Sequence, residues 1–376
     1  MNSIIKPETD ELFRDYCHRI SSQKELLGYS WQDIADNINS YYDVNLSATA
    51  CRKREARYNA AEATPNTDRY KLADQRTQIN ALQRRISRED TIKDIAREYA
   101  ESITKIDKFP AYQKVFSNTN TEKDSVLLIS DWHYGIEENS TFNTYNPKIC
   151  KERVITLRNK VFDIIEKENL THLNILNLGD MVAGRIHLPL RLASRIDVIT
   201  QIMDVSEIIA QFIYELSTKV AEIDYYSTLD NHSRIEPAIK DSLDLESLYR
   251  ITDWYLKERF KNFKNIKFHD NEFGDDILTF DMLTYRVAAV HGHKDKPDKI
   301  IDNLTLFTKK HYDMICSAHF HHFSCDEKNE TVLVSNSSLM GTDDYARSLR
   351  LNSKPSQIMI ISTLENVCEC IYKILL

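Results

Sequence analysis

Short apolar runs dominate the chain from Ser125 onward. Residues 126–129, 173–178, 223–228, 286–290 and 313–316 each form such a run, and several have almost no polar interruption. Runs of this length predict strands, some of them buried on both faces. Between them, about 149–168, 198–220, 241–261 and 297–309 carry apolar residues at helical spacing, and 331–376 predicts three further strands. Strands alternating with helices predict a layered α/β architecture whose functional groups gather at strand ends.

The pattern before that point is different. Leu12, Phe13, Tyr16 and Ile20 sit at helical spacing, and Trp31, Ile34, Ala35 and Ile38 repeat it after Ser30 and Asp33, a pair that resembles a capping box. Ser47 stands as the N-cap of a third helix running through Ala48, Ala50 and Cys51 into Arg52, Lys53, Arg54 and Arg57. A short helix, a polar turn and a basic last helix outline a helix-turn-helix unit, and those four basic residues are its candidate nucleic-acid contacts. The outline equally fits a three-helix packing module with a solvated basic face, and the residues alone leave both open. In 68–108, Leu72, Ile79, Leu82 and Ile86 fit a heptad that breaks at 87–90 and resumes at Ile92, Ile95, Tyr99 and Ile103. This predicts two helices or one kinked helix, a spacer or a dimerising hairpin. The predicted organisation is a helical module over 1–66, a helical spacer over 67–123 and a catalytic domain over 124–376.

Composition narrows the class. The net charge of −8 arises beyond residue 110: residues 1–110 hold 18 basic and 18 acidic residues, the remainder 31 and 39. Within the first part, 49–88 holds ten basic and four acidic residues, so this stretch could attract a polyanion that the acidic body would not. Seven scattered cysteines without a CxxC pair predict reduced thiols. No stretch has the ~18 consecutive apolar residues of a membrane span, and the N-terminus lacks the apolar core of a secretory signal. We expect a cytoplasmic enzyme, in the host cytoplasm if a phage encodes it, with no membrane partner.

The chemistry lies at the ends of the predicted strands. In order come Ser130-Asp131-Trp132-His133, Gly179-Asp180, Asp230-Asn231-His232, His291-Gly292-His293 and Ala318-His319-Phe320-His321. Asp131 and His133 leave a strand at alternate positions, which brings one hard oxygen and one borderline nitrogen to one side; His319 and His321 repeat this with two imidazoles. A lone histidine at a strand end is ordinarily an exposed or satisfied polar residue, but five such motifs in series are a strong signal. Their order resembles that of the calcineurin-like metallophosphoesterase superfamily, closest to phage and prophage phosphoesterases related to DNA-repair exonucleases. Gly179-Asp180-Met181-Val182-Ala183-Gly184, Asn231-His232-Ser233-Arg234 and the tail Asn336-Ser337-Ser338-Leu339-Met340-Gly341 with Asp344-Tyr345-Ala346 carry the closer likeness.

The resemblance implies an α-β-β-α sandwich with mixed sheets and two divalent ions, manganese first, with iron, zinc or magnesium as alternatives. It assigns Asp131, His133, Asp180 and His321 to one ion and Asp180, Asn231, His291 and His319 to the other, with Asp180 bridging. Such ions, ~3.5–4 Å apart, generate hydroxide, orient a phosphate and offset charge in an in-line displacement. It also makes His232 the proton donor to the leaving oxygen. Arg185, His187, Arg234 and His293 are candidate substrate contacts, since guanidinium and imidazole groups pair with phosphate oxygens. Asp230 stands where the superfamily has glycine and Ala318 where it has another, which changes the expected turn chemistry without removing a ligand. The repair exonucleases carry a cap after the last histidine motif, whereas only 55 residues follow His321.

Three activities follow: a metal-dependent DNA phosphodiesterase guided by the N-terminal helices, a phosphatase or phosphodiesterase for nucleotides or another small substrate, and a DNA-binding protein on a non-catalytic scaffold. The first is the expectation, with DNA as partner and homo-oligomerisation through the N-terminal helices as a further one.

Overall fold

The structure is a computed structural model that describes residues 5–62, 72–80, 82–83, 90, 94, 97, 106–110, 122–186, 194–236, 238–343, 346–347 and 350–376. The chain forms two compact units, Met1–Thr91 and Ile92–Leu376.

In the first unit, α1 (Phe13–Ser22), α2 (Trp31–Tyr41) and α3 (Ala48–Glu62) enclose a core of Tyr16, Ile20, Ile34, Ala35, Ile38 and Cys51. The capping box opens α2: Ser30 Oγ accepts from Asp33 N at 3.2 Å, and Asp33 Oδ2 accepts from Ser30 N at 2.7 Å. Ser47 Oγ accepts from Ala50 N at 3.2 Å at the start of α3. Cys51, Glu55 and Tyr58, one turn apart, face α1, where His18 bonds Glu55 at 2.9 Å and stacks on Tyr58. That packing leaves Arg52, Lys53 and Arg57 exposed, and Arg54 lies over the Phe13 ring at 5.0 Å. Beyond this unit's core, residues 72–80 are helical with Leu72 and Ile79 exposed; the second register at Ile92, Ile95, Tyr99 and Ile103 lies outside the described residues.

The second unit has the expected α-β-β-α layering. Its strands are β1 (Lys123–Ile129), β2 (Glu138–Asn139), β3 (Thr144–Tyr145), β4 (His172–Asn177), β5 (Glu222–Ser227), β6 (Ile266–Phe268), β7 (Ile277–Met282), β8 (Tyr285–Val290), β9 (Met314–Ser317), β10 (Ser324–Lys328), β11 (Thr331–Ser335), β12 (Ser356–Thr363) and β13 (Cys370–Leu375). Its helices are α4 (Pro147–Glu168), α5 (Val198–Ser217), α6 (Tyr249–Arg259) and α7 (Ile300–Thr308). One sheet has the order β13-β12-β1-β4-β5-β6 and the other β10-β11-β9-β8-β7. Both are mixed: β1, β4, β5 and β6 run parallel beside antiparallel β12, and β8, β9 and β11 run parallel between antiparallel β7 and β10.

Alternation along β1 shows how the layers form. Val126 and Leu128 pack between the sheets with Leu176, Val287 and Ile358, whereas Leu127 and Ile129 pack outward against the helical layer with Leu157, Val161 and Ile209. The second sheet is covered by α7 through Ile300, Ile301 and Leu304.

Two sequence expectations need correction. The helix expected over 241–261 is only Tyr249–Arg259, preceded by two short 3-10 turns; Ile239, Leu243 and Leu245 in that stretch are exposed, so no packing surface extends the helix. Among the strands overlooked, β10 is a polar edge, Ser-Cys-Asp-Glu-Lys, held by its ladder to β11 rather than by a buried face.

Candidate metal centre

All five motifs meet where the parallel strands of the two sheets end. β1 leads into Asp131 and His133, β4 into Asp180, β5 into Asn231 and His232, β8 into His291, and β9 into His319 and His321. The backbone turns sharply at these positions: φ is positive at Asp131 (53°), His133 (46°), Asp180 (54°), His319 (71°) and His321 (59°). Such conformations cost non-glycine residues free energy and persist only where the surroundings hold them. Backbone bonds do so here, from Asp131 N to Gly179 O at 3.0 Å and from His133 N to Asp180 O at 2.9 Å. Gly179 (φ 90°) is required by a close approach, since a Cβ there would stand 2.4 Å from Asp230 Cβ.

The donors fall into two sets. Asp131 Oδ1, His133 Nε2 and His321 Nε2 form a triangle with edges of 3.8, 3.2 and 3.2 Å. On the other side, His291 Nε2 is 3.2 Å from Asp180 Oδ2 and 2.9 Å from Asn231 Oδ1, and His319 joins Asp180 and His291 in a second cluster. Asp180 Oδ2 lies between the sets, 4.0 Å from His133 Nε2. Asp131, His133, Asp180 and His291 are buried.

These positions fit divalent ions. With bonds of about 2.0–2.2 Å, two ligands of one ion stand roughly 2.8–3.6 Å apart, and most of the edges above lie in that range. Among the described residues, Asp131 Oδ1 is buried without a hydrogen-bond partner, and nitrogen–oxygen donor sets of this kind suit manganese, iron or zinc. His291 Nδ1 meets the Leu178 carbonyl at 2.6 Å, which assigns the proton to Nδ1 and turns Nε2 toward the carboxylate.

Electrostatics follow the same geometry. Burial works against the Asp131 carboxylate, but the neighbouring His321 and His291 more than offset it and hold its pKa down to about 2. Burial likewise opposes protonation of His291, and Asp180 overrides it, pushing the imidazole up to about 10. His319 goes the other way, down to about 4, because burial and His291 disfavour its charge. Ions at these positions would take the place of the protons.

His232 is fixed by two contacts. Its backbone N donates to Asp180 Oδ1 at 3.0 Å, and its Nδ1 donates to the Ala183 carbonyl at 2.8 Å, so Nε2 points to the cluster, 3.9 Å from Asp180 Oδ2. Gly184 (φ 70°) permits this, since a Cβ would lie 2.1 Å from the His232 carbonyl oxygen.

Several residues quoted in the motifs have a supporting role that the sequence does not show. Asp230, in place of the expected glycine, accepts from Asp180 N (2.9 Å), Ser233 N (2.6 Å) and Ser233 Oγ (2.9 Å), so it ties the second motif to the third. Burial, with Asp180 adding to it, raises this carboxyl to about 6. Asn336 Nδ2 donates to Ser130 Oγ, which donates to Asp131 Oδ2, while Ser338 Oγ bonds the Asp131 carbonyl. No spacing rule predicts these contacts, because their partners are up to 207 residues apart.

Of the candidate substrate contacts, Arg234 is half-buried with Nε on the Asn231 carbonyl at 3.0 Å, and Arg185 is half-buried beside Gly184. His293 stands 5.3 Å from His291 and 6.3 Å from His319, ring to ring. His187 lies outside the described residues. No described helix is long and apolar enough to cross a membrane.

Residues 2–67 match the family described as the YonJ N-terminal domain. The chain is 24% identical over 377 residues to the SPbeta prophage-derived protein YonJ of Bacillus subtilis (strain 168), covering 93% of each. Among solved structures it is similar to an archaeal phosphodiesterase, with 12% identity, a TM-score of 0.34, and coverage of 67% of this chain and 99% of that one. It is also similar to Vps29 of Cryptosporidium parvum (12% identity, TM-score 0.32, 64% of this chain and 86% of that one). A third similarity is to zinc-complexed Vps29 of Entamoeba histolytica (11%, 0.31, 66% and 96%).

Proposed function

We propose that this protein is a two-metal phosphoesterase whose substrate is a DNA phosphodiester. One observation carries the reading: a buried carboxylate oxygen, Asp180 Oδ2, stands between two sets of nitrogen and oxygen donors at the strand ends. Asp131, His133, Asp180 and His321 would hold one ion, and Asp180, Asn231, His291 and His319 the other. When bound, such ions, manganese first and iron, zinc or magnesium after it, supply Lewis acidity toward phosphoryl oxygens and make water a nucleophile near neutral pH.

The protein's side chains supply the rest. With Nδ1–H held by the Ala183 carbonyl, His232 carries its second proton on Nε2, the nitrogen facing the cluster, and delivers it to the departing oxygen. Arg234 supplies a guanidinium for phosphate oxygens, with Arg185, His187 and His293 as the other substrate contacts.

DNA as substrate is supported by α3, whose Arg52, Lys53, Arg54 and Arg57 are exposed after a capped α2 and a short turn, as groove-binding helices require. The prophage origin of YonJ agrees with action on nucleic acid in a bacterial cytoplasm. The test is a metal-screened assay of bis-p-nitrophenyl phosphate beside labelled single- and double-stranded DNA. Manganese-stimulated turnover of both, abolished by Asp180→Ala, is the expected result. Turnover of small esters alone would favour the small-substrate reading, and DNA binding without turnover under any metal would favour a non-catalytic scaffold.

A further inference from the structure

A cavity of about 460 Å³ lies beside the histidine cluster. That volume is in the range of small-molecule sites, about 300–1,000 Å³. His291 and His293 line it together with Leu229, Ile277 and Val290. Another part of the lining comes from α7. Ile300, Ile301, Leu304 and Thr308 bury one side of that helix against the second sheet. Asn303, Leu306 and Phe307, at the i, i+3, i+4 spacing of one helical face, line the cavity.

The outer face of a helix on a soluble domain is normally polar. Here Leu306 is 76% exposed and Phe307 69%. A single exposed leucine needs no explanation, but a leucine and a phenylalanine that together line a cavity next to a polar centre form a platform. The cavity's charges are distributed to match. Lys294 Nζ is 3.0 Å from Asp276 Oδ2 and 3.5 Å from Asp244 Oδ2, so its charge is balanced within the protein. Asp295 Oδ1 accepts from Asn303 Nδ2 at 2.7 Å and, like Asp276, retains lone pairs for further donors. His293 Nδ1 has no partner among the described residues.

We propose that this cavity binds the nucleobase of the substrate, with the ring stacked on Phe307 and Leu306. Exocyclic N–H groups of the base meet the Asp276 and Asp295 carboxylates, and His293 stands between base and phosphate. A flat heterocycle bearing N–H donors suits an apolar wall edged by carboxylate acceptors. The inference rests on the phosphoesterase reading for where the phosphate lies and adds which part of the substrate is recognised.

Calorimetric titration of the full chain with dAMP and with deoxyribose 5-phosphate, in EDTA and in Mn²⁺, tests it. The unmodified protein should bind dAMP about tenfold more tightly than the base-free sugar phosphate, the scale of one stacked base. The double variant Leu306→Ser with Phe307→Ser should lose that ratio, and Phe307→Tyr should retain it; both changes lie on an exposed face, and circular dichroism checks folding. Equal affinities in the unmodified protein, or a ratio unchanged in the double variant, would overturn the proposal. If selectivity for dAMP stands while bis-p-nitrophenyl phosphate is not cleaved under any metal, the phosphoesterase reading fails and the base site remains.

Discussion

His232 and Asp230 are neighbours but one in the chain, and they do different work. His232 presents Nε2 to the cluster because Ala183 occupies its Nδ1. His232→Ala should lower kcat for a DNA phosphodiester, whose alkoxide leaving oxygen needs a proton, roughly 100- to 10,000-fold, the scale of a lost general acid. It should slow bis-p-nitrophenyl phosphate, which leaves as a stable phenolate, much less; a variant as fast as the parent on DNA would remove the residue from the mechanism. Asp230 holds the turn rather than the substrate, through the Asp180 and Ser233 backbone N–H groups. Asp230→Ala strands both buried donors, so we expect a loss of about 3 kcal/mol. In a domain of this size that corresponds to a Tm fall of roughly 6–12 °C by calorimetry. The sequence marked Asp230 as a departure from a glycine, yet only the folded turn shows that its carboxylate supplies the local restraint.

At the scale of elements, the parallel strands are tied together at their opposite ends by a second polar network. His172 at the start of β4 bonds Asp124 of β1 at 2.8 Å and Asp224 of β5 at 3.0 Å, and His269 after β6 reaches Asp224 at 2.8 Å. Burial disfavours the charged imidazole, but the two carboxylates outweigh it and raise His172 to about 9. A folded pKa above the unfolded value of about 6.5 means that this contribution to stability is complete below pH 6.5 and lost as pH rises through 9. Urea midpoints should therefore fall between pH 6 and pH 10, and His172→Gln should flatten that decline; an unchanged pH profile in the variant would contradict the assignment. None of these residues stood out in the sequence, because strand register alone brings them together, pairing His172 with Glu222 and Asn174 with Asp224. The same limit explains β10, whose polar residues carry no periodic signal.

For the whole molecule, ion binding and folding are linked. Ions that bind only the native donors should raise stability by about 2.7 kcal/mol at 100 times their Kd. Thermal scans with Mn²⁺ and with EDTA should show that shift, and Asp180→Asn should lose most of it. The first unit is predicted to contribute a salt-dependent affinity for DNA. Replacing Arg52, Lys53, Arg54 and Arg57 by alanine in the full chain should reduce the slope of log K against log salt by about 1 for each phosphate no longer neutralised. An unchanged slope would point to the packing-module alternative for α3.

The sequence by itself determined the layered α/β class, the three N-terminal helices, two of them opened by a serine cap, and the eight chemical groups at strand ends. These are local properties: apolar period, capping side chains, and short motifs in which alternate residues leave a strand together. Tertiary structure alone decided that Asp180 stands between two donor sets, that Asp230 and Asn336 restrain the ligands, and that Leu306 and Phe307 flank the centre. Each of these depends on which strands become neighbours and in what register, and residues far apart in the chain carry no local trace of that pairing.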